Sequence, residues 1–214
     1  MHNSVKNLLL IKEQIEKYNS NTDIIAVSKT FNQNDIMPLV EFGHMHFGEN
    51  KVQEAQDKWP KIKIQNNNIN LHMIGKLQTN KVKFAVKLFD YIHSLDSEKL
   101  AKELCKRQKE KEKNLKYFIQ INLGSEEQKG GVDINNLKPF INYCKNKLKL
   151  SIIGLMAIPP NNNETEKYFK RISDLNKQFN LEHLSIGMSN DYLLAIKYGA
   201  TFVRIGSAIF GSRS

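Results

Sequence analysis

The chain has 214 residues, 40% hydrophobic and 25% charged, which is enough to bury one sizeable core and excludes a disordered or low-complexity segment. Its 32 Lys+Arg against 22 Asp+Glu give a formal charge of +10, which admits an anionic ligand; the excess lysines are spread over helix-like stretches and interrupted, as by Glu110 and Glu112, so no nucleic-acid partner is expected. The apolar run Leu8 to Ile11 is too short for a signal peptide or membrane span, and Cys105 and Cys144 lack metal or disulfide spacing, so a cytoplasmic chain with reduced thiols and no membrane partner is expected.

Apolar residues at Val5, Leu8, Leu9, Ile11 and Ile15 predict a helix over 3–17. Ile24 to Ser28 predicts a strand covered on both faces, because its four apolar residues include three that are β-branched, and Lys29 follows at its end. Asn34 is expected to cap a short helix through Glu41, with Pro38 in the first turn and Gly43 as its stop. His44 to Phe47 predicts a second strand, ending in Gly48-Glu49-Asn50, and the next helix runs to about Lys58, where Trp59-Pro60 is expected to break it.

Leu71 to Ile74 reads as the third strand, closed by Gly75 and followed by a helix over 77–87. Tyr91 to Ser94 is the fourth, after which Ser97 caps a long charged helix with Glu98 in its first turn. Tyr117 to Ile121 is the fifth, then a polar loop over 124–131 and a helix over 134–147. Ile152 to Met156 is the sixth, followed by a Pro159-Pro160 loop and a helix over 164–179. His183 to Ile186 is the seventh, then the Gly187-Met188-Ser189-Asn190 turn, a helix to Lys197 and the eighth strand, Thr201 to Arg204.

Strands alternating with helices mean a parallel sheet with right-handed crossovers. Eight of them after one extra amino-terminal helix give the expected fold: α/β, a single (β/α)8 TIM barrel over residues 1–214. It would be compact beside the roughly 250 residues usual for such barrels. An open doubly wound sheet is the other arrangement such alternation allows.

In a barrel, the residues just past each strand share one mouth. Here they are Lys29, Asn50, Gly75, Met156, the Gly187-Met188-Ser189 turn and the Gly206-Ser207 turn. Glycine lets backbone approach an anion, amides at a helix start point outward, and a serine hydroxyl adds a donor, so two such turns facing a lysine suit a phosphorylated ligand. Lys29 itself reads either as a solvated side chain or as an amine forming a Schiff base with a phosphorylated aldehyde. Holding a free lysine neutral at pH 7 costs roughly 4–5 kcal/mol, which a desolvated mouth and a nearby cation such as Arg204 would offset. Arg204 reads as a rim salt-bridge residue or as a donor to the ring nitrogen of pyridoxal phosphate, which it would keep unprotonated.

His44 and His46 fall on one face of their strand, but no third ligand has metal spacing nearby, so no metal is expected. His72, His93 and His183 are single strand histidines expected to be packed and hydrogen-bonded. Glu126, Glu127 and Lys129 form either a lid or a surface turn, and Met45, Met73 and Met156 read as core filling.

Several stretches together resemble the pyridoxal phosphate homeostasis family: Ile25-Ala26-Val27-Ser28-Lys29-Thr30, Phe47-Gly48-Glu49-Asn50-Lys51-Val52-Gln53-Glu54 and His72-Met73-Ile74-Gly75-Lys76-Leu77-Gln78-Thr79-Asn80-Lys81. Ile121-Asn122 with Glu127-Gln128-Lys129-Gly130-Gly131, Gly154-Leu155-Met156-Ala157-Ile158-Pro159, Leu184-Ser185-Ile186-Gly187-Met188-Ser189 and Val203-Arg204-Ile205-Gly206-Ser207-Ala208-Ile209-Phe210-Gly211 complete the order. The segment between strands six and seven looks short for the family, and Asn190 stands where an acidic residue is common.

The resemblance implies a fold-type III barrel like the amino-terminal domain of alanine racemase, without that enzyme's second, all-β domain. Pyridoxal 5'-phosphate would be the cofactor. Lys29 would form its Schiff base, Arg204 would face its ring nitrogen, and Ser189, Gly206 and Ser207 would hold its phosphate. Asn50 would lie near the ring, with Ser185 and Met156 lining the pocket. The implied role is a non-catalytic, monomeric carrier with no committed amino-acid substrate, its partners the cofactor and apoenzymes that require it. The alternatives are a racemase or decarboxylase using the same cofactor, and a Schiff-base sugar-phosphate aldolase.

Overall fold

The structure, a computed structural model, describes residues 1–18, 21–124, 130–160 and 162–211. The chain runs α1 (Asn3–Glu16), β1 (Asp23–Val27), α2 (Gln33–Glu41), β2 (His46–Glu49), α3 (Val52–Gln65), β3 (Asn70–Met73), α4 (Val82–Leu88), β4 (Tyr91–Leu95) and α5 (Glu98–Glu110). It continues β5 (Lys116–Gln120), α6 (Ile134–Asn142), β6 (Ser151–Met156), α7 (Thr165–Gln178), β7 (His183–Ser185), α8 (Tyr192–Lys197), β8 (Phe202–Ile205) and α9 (Ser207–Phe210). The strands close into a barrel in chain order, all parallel, with β1 pairing β8 from Asp23↔Phe202 to Ala26↔Ile205.

Two apolar layers hold it. Because successive strand residues face opposite ways, Ile24 and Ala26 join the layer between barrel and helices, while Ile25 turns inward. Inside the barrel Ile25 packs with Tyr91, Phe118, Met156 and Phe202. The extra helix α1 lies against α2, α8 and α9, and Asn7 Nδ2 donates to the Ile209 carbonyl at 2.9 Å, tying α1 to the last helix.

Several boundaries differ from the sequence reading. Asn32, not Asn34, caps α2: its side chain accepts from Asp35 N while Asp35 accepts from Asn32 N, a reciprocal pair that satisfies two amide donors. Pro38 therefore sits inside the helix, beyond its first turn. The second strand begins at His46, so His44 precedes it and its ring packs edge-on to Phe47. The α3 helix runs through Trp59-Pro60 to Gln65. A proline in a helix costs ~3 kcal/mol, but Trp59 at the expected break and Ile62 beyond it are buried, at roughly 1.5–3 kcal/mol per large apolar side chain. Pro60 itself lies on the exposed face, so the carbonyl it leaves unpaired can meet water. The helix expected over 77–87 is a 3-10 turn, Thr79–Lys81, leading into α4, and the one expected over 134–147 ends in a π turn, Tyr143–Lys147.

Candidate functional site

The chain after β1 makes a tight turn that presents Lys29, and buried ionic contacts fix that turn. Lys58, on α3, donates to the carbonyls of Ser28 at 2.8 Å and Phe31 at 3.1 Å, and to Glu54 Oε1 at 2.8 Å. The Thr30 amide donates to the same Glu54 oxygen, holding Thr30 at φ 68, a conformation unusual for a β-branched residue. Beneath lies Glu49, fully buried, whose Oε1 accepts from Ser28 Oγ at 2.8 Å and Trp59 Nε1 at 3.0 Å and pairs with Lys58 Nζ at 2.7 Å. Burial pushes the Glu49 carboxyl above its ordinary range, against the pull of Lys58, Trp59 and Ser28.

On the neighbouring strand Arg204 is buried, and Nη1 donates to the carbonyl and Oγ of Ser185, each at 2.7 Å, while Nη2 donates to the Ala157 carbonyl at 2.9 Å. Burial pulls the guanidinium down to about 10, partly opposed by Asp191. It remains a cation at neutral pH. The turns after β7 and β8 meet through Ser189, whose Oγ accepts from the amides of Gly206 and Ala208, both at 3.3 Å. Gly187 opens the first turn at φ +90, and a Cβ there would come within 2.6 Å of the Ala195 Cβ, so only glycine fits. Phe31 stacks on Phe210 at 4.7 Å between centroids, joining the Lys29 turn to α9.

These parts enclose a cavity of about 500 Å³ at the carboxyl end of the barrel. Lys29, Asn50, Ser189, Arg204, Gly206 and Ser207 all line it, as sequence position led one to expect. Met156 and Ser185 do not. Both are fully buried, Met156 in the barrel interior and Ser185 beneath Arg204, because the last residue of each strand turns inward. A second cavity of about 330 Å³ shares Asn50, Ile74 and Ile158 with the first and reaches Lys76, Asp96 and Gln120. Glu126, Glu127 and Lys129 lie outside the described residues.

Sequence reasoning missed the Glu49–Lys58–Glu54 group and the Asp191 and Phe31 walls. The four-residue spacing of Glu54 and Lys58 was the available signal for the first. It also missed that His46, His72 and His93 bond to one another inside the barrel. Among the described residues no group of three His, Cys, Asp or Glu side chains could hold a metal ion, and no helix is long and apolar enough to cross a membrane. Cys105 and Cys144 are free and buried.

The alanine racemase amino-terminal domain family matches residues 3–214. The pyridoxal phosphate homeostasis protein of Aquifex aeolicus is 39% identical over 199 residues, covering 89% of this chain and 86% of its own. That of Haemophilus influenzae is 37% identical over 225 residues, covering 97% and 95%. Among solved structures, PipY of Synechococcus elongatus with PLP bound superposes with a TM-score of 0.89 at 32% identity, covering 97% of this chain and 100% of that one.

Proposed function

We propose a function from one premise: this chain belongs to the pyridoxal phosphate homeostasis protein family. It binds pyridoxal 5'-phosphate in the mouth cavity and serves as an intracellular, cytoplasmic carrier of that cofactor, with no amino-acid substrate of its own. Residues 1–214 act as one binding domain, working as a monomer that yields the cofactor to apoenzymes. The observation that carries the reading is that an amine, a buried guanidinium and a serine–glycine turn share one cavity of about 500 Å³.

The donor set suits the cofactor. Lys29 would hold its aldehyde carbon covalently, Ser189, Gly206 and Ser207 would take the phosphate, and Asn50 would lie beside the ring. Met156 and Ser185 would act from beneath. When bound, the cofactor supplies an electrophilic carbonyl and an aromatic ring able to accept electrons. Arg204 offers that ring only donors, which favours an unprotonated nitrogen and a weaker electron sink, and this supports carriage over carbanion chemistry.

The test is the visible spectrum of the purified chain with added cofactor, before and after borohydride, followed by peptide mass analysis. A yellow band that borohydride bleaches, with the added mass on the Lys29 peptide and both lost in Lys29→Ala, is the expected result. Failure to take up the cofactor overturns the binding. Amino-acid racemisation or decarboxylation abolished by Lys29→Ala overturns the carrier role.

A further inference from the structure

The barrel interior holds three histidines that no step above uses, in line with Ser185. His46 is the first residue of β2, His72 the third of β3, His93 the third of β4 and Ser185 the last of β7, so they climb the barrel like a stair. Their contacts are continuous: His46 Nδ1 to His72 Nε2 at 3.0 Å, His72 Nδ1 to His93 Nε2 at 2.9 Å, and His93 Nδ1 to Ser185 Oγ at 2.9 Å. Ser185 Oγ in turn meets Arg204 Nη1 at 2.7 Å. At the lower end His46 lines a cavity of about 300 Å³ with Asp23, Lys12 and Glu16.

We propose that Ser185, His93, His72 and His46 form one directional hydrogen-bond wire that positions the Arg204 guanidinium, with His93 as the residue that sets its direction. This rests on the reading above that Arg204 faces the ring nitrogen of the bound cofactor.

The direction follows from donor chemistry. A guanidinium only donates, so Ser185 Oγ accepts from Arg204 and has a single hydrogen to give. That hydrogen goes to His93 Nδ1, which must therefore be bare. A neutral imidazole with bare Nδ1 carries its proton on Nε2, which donates to His72 Nδ1; the same argument makes His72 Nε2 the donor to His46 Nδ1. Every link thus turns its acceptor end toward the buried cation and its donor end toward the barrel floor. The reversed wire would aim two donors at Ser185 Oγ and leave its buried hydroxyl hydrogen unpaired.

The surroundings agree. Each bare nitrogen is occupied by a donor, so no imidazole can gain a proton without breaking the wire. Burial, then Arg204, holds His93 well below the ordinary histidine range, and burial, then His93, does so for His72. Tyr91 stacks on His72 at 4.2 Å and Phe118 on His93 at 4.2 Å, which fixes the ring planes.

Nitrogen-15 NMR of the full chain reads the tautomers directly. The expected result is three neutral imidazoles, each with a pyrrole-type Nε2 and a pyridine-type Nδ1. A protonated Nδ1 on His93 or His72 overturns the proposal, whether or not the cofactor binds. Cofactor titration by absorbance supplies the second arm. His93→Phe and Ser185→Ala should each weaken binding about tenfold, the loss of one hydrogen bond in a buried network, with the double variant no worse than either single one. His93→Gln, which keeps an acceptor and a donor in reach, should stay within about twofold of the parent chain. Equal losses for Gln and Phe, or additive losses in the double variant, overturn the wire. A parent chain that binds no cofactor defeats the functional reading instead, and leaves the tautomer result standing.

Discussion

Replacing Lys58 by methionine isolates what holds the Lys29 turn. The ammonium is buried beside a fully buried Glu49 at 2.7 Å, and methionine keeps most of the stem's volume while deleting the charge. Glu49 would retain only Ser28 and Trp59 as partners, with its Oε2 already unpaired. Breaking such a pair costs about 3–5 kcal/mol. The carboxyl can escape by taking a proton, which caps that part of the loss. A free glutamic acid titrates near 4.3, so protonation costs at most about 4 kcal/mol at pH 7 and about 1 kcal/mol at pH 5. Above that range the folded variant would hold a proton that the unfolded chain lacks. Its stability relative to the parent should therefore fall as pH rises, by up to ~1.4 kcal/mol per unit. Urea unfolding of both proteins at pH 5 and pH 7, read at constant m-value, measures this directly. Adding Glu49→Gln to the variant should recover most of the deficit at pH 7. A deficit below about 1 kcal/mol at pH 7, or one of equal size at both pH values, would refute the reasoning.

Ser189→Ala removes the hydroxyl that joins the Gly206 and Ala208 amides and should weaken cofactor binding about tenfold in absorbance titrations; an unchanged dissociation constant argues against a phosphate site at that turn. His44 is pulled down to about 4 by burial first and Lys12 second, so the unfolded chain binds its proton between about pH 6.5 and 4 while the folded chain does not. Stability should fall through that window, by up to about 3 kcal/mol from this residue, and His44→Gln should flatten the profile in urea melts. Burial pushes the Cys144 thiol up to about 12, so disulfide reagents at pH 8 should modify it only at the rate of unfolding. Rapid labelling of Cys144 in the native protein contradicts that.

The eight strands were legible because barrel strands are buried on both faces, and Ile24 to Val27 or Tyr117 to Ile119 therefore read as continuous apolar runs. Closure was legible from the count of eight such units, since alternation with helices alone also allows an open sheet. Lys29, Asn50, Ser189 and Arg204 were legible because position at a strand's carboxyl end is a local property. What failed depended on contacts between distant segments. Trp59-Pro60 looks like a stop until Trp59 is seen packed on Phe47 at 4.9 Å and bonded to Glu49. Met156 and Ser185 were assigned to the pocket wall because one residue of strand register separates wall from interior. The histidines sit on three strands, each unremarkable alone, and only barrel shear brings His46, His72 and His93 into line.

The stacking of Phe31 on Phe210, and the pairing of β1 with β8, give the mouth a temporal order. Lys29 is made before its serine–glycine and guanidinium neighbours Ser189, Arg204, Gly206 and Ser207. Until β8 docks, the amine has none of the groups that would select an aldehyde bearing a phosphate. A ligand that needs both halves binds only the closed barrel, and so adds its binding free energy to the closed state alone. Cofactor supply during synthesis should then set how much of the chain survives as folded protein.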